Sequence, residues 1–162
     1  MATPPVSIYY TGSWFHKDGA QEAMACLSEA GITLTLDWTS PEHRAKDQIT
    51  QCTSITEAIK RADVFVVNLE HYEDRVGSAS FLQCAIAHSH GVPMVVLDPL
   101  KETRKRRAQP DGTPSSGPVR HPAFMNVMGS FLLDESCCTW ICDRGCLVEA
   151  IRHAAQQARG EA

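Results

Sequence analysis

The run Asp63-Val64-Phe65-Val66-Val67-Asn68-Leu69 constrains this chain more than any other segment. Its apolar residues are consecutive rather than alternating, so a strand made of them is buried on both faces, as a central strand of a parallel sheet is. Parallel strands need long crossover connections, normally helices, and the flanking sequence supplies them. Val6-Ser7-Ile8-Tyr9-Tyr10, Ile32-Thr33-Leu34-Thr35-Leu36, residues 93–97 and residues 139–142 read as four more strands. Helical spacing recurs between them. Ala20, Ala23, Met24, Leu27 and Ala30 form one apolar stripe, stopped by Gly31. Residues 45–61 carry a second, with Ile49, Ile55, Ala58 and Ile59 expected to be buried. Residues 77–90 form a third helix rich in small side chains, and residues 146–158 a closing helix with Asp143 placed as its cap. This order predicts an α/β fold, an open five-stranded parallel sheet of the flavodoxin-like (Rossmann-like) type with helices on both faces.

The length, 162 residues, suits one domain spanning 1–162. Residues 101–120 break the pattern. A basic run, Lys101-Glu-Thr-Arg-Lys-Arg-Arg107, precedes a stretch rich in Pro, Gly and Ser, and is expected to be a flexible loop. A solvated surface segment, an anion-binding flap and a nuclear-import patch all fit its composition.

Net charge is −4, so no general basic field exists to hold a nucleic-acid polymer, and none is expected as a partner. No apolar run approaches the roughly 20 residues that span a bilayer, and the first residues lack the charged and apolar regions of a signal peptide. No membrane association is expected. The seven cysteines are odd in number and not spaced as a secreted disulfide framework. Four fall within residues 137–146, in one short segment, where structural zinc wants two ligand pairs separated by a longer loop. The expectation is therefore reduced thiols in a cytoplasmic compartment, with no metal.

Ligands of such sheets bind beyond the carboxyl ends of the strands, which selects residues 11–16, residues 68–80 and the loop beginning at Asp98. The first, Tyr9-Tyr10-Thr11-Gly12-Ser13-Trp14-Phe15, is a strand followed by a Gly-Ser turn that can offer N–H groups and a hydroxyl to an anion or a sugar. It is neither the dinucleotide fingerprint nor a Walker loop. Trp14 and Phe15 can stack on a base or simply pack the loop. The second begins at Asn68 and ends in Val76-Gly77-Ser78-Ala79-Ser80, small residues at a helix start, suited to an anion or to ordinary capping.

Strand-Gly-Ser over 8–13, residues 59–68 ending in Asp63-Val-Phe-Val-Val-Asn68, and Gln83-Cys-Ala-Ile-Ala87-His-Ser-His-Gly91-Val-Pro93 follow one another at characteristic intervals. In this the chain resembles the nucleoside 2-deoxyribosyltransferase superfamily, which includes the 2'-deoxynucleoside 5'-phosphate N-hydrolases. The likeness covers roughly residues 6–98. It implies that Tyr9, Gly12 and Ser13 line a nucleoside pocket, and that Gly77 and Ser78 contact the sugar or 5'-phosphate; Trp14 and Asn68, at the same strand ends, are added as substrate-binding candidates. It places Gln83 at the catalytic glutamate, ten residues before Pro93, in register with Ala87 and Gly91. The resemblance also implies a homo-oligomer, a dimer or larger, and a nucleoside or nucleoside 5'-monophosphate as ligand. No cofactor is implied.

Three positions depart from that pattern. Gln83 replaces the carboxylate that attacks or electrostatically supports the anomeric carbon. Ile55 stands where the family has an aspartate, and Phe15 where phosphate-hydrolysing members tend to be basic. Glu70, Glu73 and Asp74, on the loop after the third strand, can substitute as acids or be a solvated acidic loop. His88 and His90, two apart on a helix, point to different faces and could be a metal pair only with ligands from elsewhere. Two functions from different classes follow. One is N-ribosyl transfer or N-glycosidic bond hydrolysis, with Gln83 at the nucleophile position and Glu70 or Asp74 as replacement acids. The alternative is a catalytically inactive relative that binds a nucleotide-like ligand as a sensor or interaction module. A purely structural interaction protein, binding no nucleoside, stands third.

Overall fold

The structure, a computed structural model, describes residues 5–69, 78–99 and 138–160. Five parallel strands, β1 (Val6–Thr11), β2 (Ile32–Leu34), β3 (Val64–Asn68), β4 (Met94–Leu97) and β5 (Cys138–Ile141), form one sheet in the order β2-β1-β3-β4-β5. That is the predicted flavodoxin-like order. The register is Ile8 against Val64, Phe65 against Met94 and Val95 against Thr139.

The pleat sends alternate residues to opposite sides, and each side meets its own helices. Ile8, Tyr10, Val64, Val66, Val95 and Leu97 pack on helices α1 (Lys17–Glu29) and, at the far end of the chain, α5 (Leu147–Arg159). Tyr9, Phe65, Val67, Leu69 and Val96 pack on Ala58, Ile59, Cys84 and Ala87, which belong to α3 (Gln48–Arg61) and α4 (Ser78–Ser89). All five residues of β3 are buried, which accounts for its unbroken apolar composition. Opposite the candidate site, at the amino ends of the strands, the Asp63 carboxylate accepts from Ser7 N (2.7 Å) and Ser7 Oγ (2.8 Å) and pairs with Arg159 (3.2 Å). This ties β1, β3 and the end of α5 together.

Three details differ from expectation. The segment 45–61 is preceded by a separate short helix, α2 (Pro41–Arg44), and α3 proper starts at Gln48. Each has its own cap: Ser40 Oγ accepts from His43 N (3.2 Å), and Asp47 Oδ1 from Thr50 N (3.0 Å). Ile49 is 80% exposed rather than buried. Ten residues before Ile59, it lies about 80° round the helix from the buried stripe. Asp143 caps not the closing helix but the single 3-10 turn before it, accepting from Gly145 N at 2.9 Å. Glu70, Glu73, Asp74, Gly77, Cys137 and the 101–120 loop lie outside the described residues.

Candidate functional site

At the carboxyl ends of β1 and β2, a cleft of about 320 Å³ opens on the side of the sheet covered by α3 and α4. Local sequence builds each wall. After β1 the Gly-Ser turn leads into a 3-10 turn (Trp14–His16), closed by His16 N donating to Ser13 O at 3.1 Å, which sets Trp14 at the rim. After β2, Asp37 accepts from Thr39 N (2.9 Å) and turns the chain, and Trp38 Nε1–H donates to Tyr10 O (2.7 Å), pinning the second indole over β1. The two indoles meet at 5.9 Å, tilted by 54°.

Ser40 and Pro41 then start α2, the pairing of a hydroxyl cap with proline at the first helical position, and bring His43 and Arg44 into the cleft. The Arg44 guanidinium lies 4.4 Å from the Trp14 ring centroid and Lys17 Nζ 5.6 Å from it. Gln51 closes the α2–α3 turn by donating to Lys46 O (2.6 Å) and Arg44 O (3.3 Å). Ile55 and Gln83 complete the lining from α3 and α4.

The polar groups of this cleft are not all satisfied. Gln83 Oε1 and both ring nitrogens of His43 are buried without a hydrogen-bond partner. Burial, assisted by the Lys46 charge and opposed by Asp37, lowers the His43 pKa below its ordinary value, so the imidazole is neutral at pH 7. Among the described lining residues there is no carboxylate; Arg44 is the charged group. Among the described residues no three His, Cys, Asp or Glu side chains gather as a metal site would require, and no helix is long and apolar enough to cross a membrane.

Of the residues singled out from sequence, Trp14, Ile55 and Gln83 come together in the cleft. Tyr9 does not line it: the ring is fully buried, stacked 5.7 Å from Phe65 beneath α3 and α4, and its hydroxyl has no partner. Burial alone raises that phenol far above its ordinary pKa, so it stays protonated. Ser13 is buried at the start of the turn, and Gly12 has room for a Cβ, with Asn68 and Tyr10 no nearer than 3.8 Å. Asn68 is buried at the end of β3 and donates to Tyr10 Oη at 2.6 Å. Ser78 begins α4. Phe15 is 92% exposed and takes no part in the lining. Trp38, His43, Arg44 and Gln51 escaped the sequence reasoning. The Ser40-Pro41 pair was the available signal, because a helix start there puts His43 and Arg44 at this same sheet end.

No family model matches the chain, and no curated protein does. A solved structure described as a conserved protein from Enterococcus faecalis V583 superposes with a TM-score of 0.62, at 15% identity, covering 93% of this chain and 99% of that one. The two share the fold. The structure of Clostridium botulinum CMP N-glycosidase, BcmB, matches at a TM-score of 0.38 and 19% identity, over 56% of this chain and 70% of that chain.

Proposed function

We propose that the cleft binds a nucleoside or nucleotide, and that the chain is a binding relative of the N-ribosyl enzymes which does not cleave its ligand by their route. The observation that carries this is Gln83. Its carboxamide lines the cleft with Oε1 buried and unpartnered, in a lining whose described residues include no carboxylate.

The fit is chemical. Two indoles and Ile55 give an apolar wall for a flat base. Arg44, supported on Trp14, offers a guanidinium to an anionic group. About 320 Å³ is at the small end of ligand sites and accommodates a base with its sugar. Gln83 occupies the position that the resemblance gives to the nucleophile. An amide there accepts and donates hydrogen bonds to a sugar, but it forms no ordinary glycosyl ester and lends little charge to an oxocarbenium-like centre.

The test is a panel of nucleosides and their 5'-monophosphates, followed by calorimetry for binding and by chromatography for free base, with a second base as acceptor in half the samples. Binding without base release is the expected result. Release or exchange above an enzyme-free blank would overturn the non-cleaving part of the reading and direct the search for an acid to Glu70, Glu73 and Asp74. Absence of binding across the panel would overturn all of it.

A further inference from the structure

We infer that His43 is the base-contacting, specificity-determining residue of this cleft, an inference that rests on the nucleotide-binding reading above. His43 is 3% exposed, yet neither ring nitrogen has a partner. Such an arrangement is costly, because a neutral imidazole carries one donor and one acceptor, and both give up water on burial. The side-chain donors of Trp38 and Gln51 are committed elsewhere. Trp38 spends its N–H on Tyr10 O, and Gln51 its amide protons on Lys46 O and Arg44 O. The main-chain N of His43 is held by Ser40 Oγ, so the residue is fixed at its backbone while its ring is untethered.

No hydrogen bond fixes the ring, and its χ2 is a broad sp³–sp² torsion, so a ligand's hydrogen bond can set its orientation at the cleft it lines. Turned toward the cleft, it presents N–H or a lone pair according to tautomer, and so serves either polarity on a base edge. The indoles of Trp14 and Trp38 line the same space and favour a flat ring there. Gln83, on a different helix, is left for the sugar. His43 therefore reads the nucleobase and is indifferent to the sugar and phosphate.

The experiment is calorimetric titration of wild type, His43→Phe and His43→Asn with CMP, UMP, AMP, GMP and ribose 5-phosphate, beside thermal melts of the free proteins. Expected are tighter binding of at least one nucleotide than of ribose 5-phosphate by wild type and a roughly tenfold loss of that nucleotide in His43→Phe, the scale of one lost hydrogen bond. Ribose 5-phosphate binding should not change, His43→Asn should recover part of the loss, and free His43→Phe should melt no lower than wild type. Equal loss for nucleotide and ribose 5-phosphate, no loss at all, or unfolding of both variants would overturn the role of His43 while leaving nucleotide binding standing. Failure of wild type to bind any nucleotide would overturn the nucleotide-binding reading itself.

Discussion

Gln83→Glu introduces a carboxylate into a cleft whose described lining has none, and both its cost and its gain can be worked from the site. The amide is half-buried and its Oε1 has no partner. A carboxylate in its place loses hydration without gaining an internal donor; a fully buried ion costs several kcal/mol, a half-buried one less, and every 1 kcal/mol lowers Tm by roughly 2–4 °C for a chain of this size. Arg44, the charged group in the same lining, offsets part of this. The gain is charge at the anomeric carbon as the base leaves. One well-placed electrostatic group is worth on the order of 10²-fold in rate, or about 2.7 kcal/mol off the barrier.

The assay is chromatographic detection of free base from whichever nucleotide the wild type binds, with intact mass after acid quench to trap a glycosyl adduct. The proposed resemblance puts a second acid at Ile55, which lines the same cleft, so the double variant Gln83→Glu/Ile55→Asp belongs in the experiment. Folded variants that bind the nucleotide as wild type does, yet release no base singly or doubly, would refute the placement of Gln83 at the nucleophile position.

Tyr9→Phe removes a buried hydroxyl with no partner and should raise stability by about 1 kcal/mol in denaturant titration; a loss of stability would mean that the hydroxyl is in fact paired. Asp63 behaves in the opposite sense. Burial raises its carboxyl pKa, but the Ser7 N–H and hydroxyl and the Arg159 charge outweigh that and hold it below the ordinary value. Its contribution is therefore present above the unfolded pKa and lost as pH falls through the lower folded one. Melting curves below about pH 4 should fall less steeply for Asp63→Asn than for wild type, and parallel curves would refute this. Among the described cysteines, Cys26, Cys52, Cys142 and Cys146 are exposed and should alkylate in the native protein, whereas Cys84 is buried, with its thiol pushed up to about 12, and should react only on unfolding. Mass-mapped labelling separates the two groups.

The sheet was legible because burial writes directly into composition. A strand covered on both faces must be apolar throughout, and 64–67 leaves no other reading. The Gly31 stop was legible for a similar reason, since its φ of +80° is one that other residues seldom adopt. The site was legible only in part. Trp14 was reached from the turn at the end of the first strand, and Gln83 only through the family resemblance, in register with Ala87, Gly91 and Pro93. His43 and Arg44 were missed because α2 is four residues long, too short to show a helical period, and its place depends on the Ser40 cap and the Trp38 anchor to Tyr10 O. Both are contacts between segments distant from one another or set by a single hydroxyl. Ile49 failed as a core residue because an apolar side chain counts toward a stripe only at the right angle, and one exposed isoleucine carries no mark of its own.

The buried polar side-chain atoms without partners belong, among the described residues, to Tyr9, His43 and Gln83. Tyr9 lies in the core on the α3 and α4 side, and the other two line the cleft on that side. The opposite layer, beneath α1 and α5, contains none of them. Packing that was merely loose would scatter such atoms through both layers. Each costs on the order of 1–3 kcal/mol against a net stability of about 5–15 kcal/mol; a ligand in the cleft can reach those of His43 and Gln83, not the core hydroxyl of Tyr9. Strand ends beyond which parallel sheets bind their ligands, an indole held to the backbone at Tyr10 O with a second against it, and an imidazole without a hydrogen bond all fall in one place. Polar atoms left without partners there are better explained by a partner that arrives from outside than by a defect of folding.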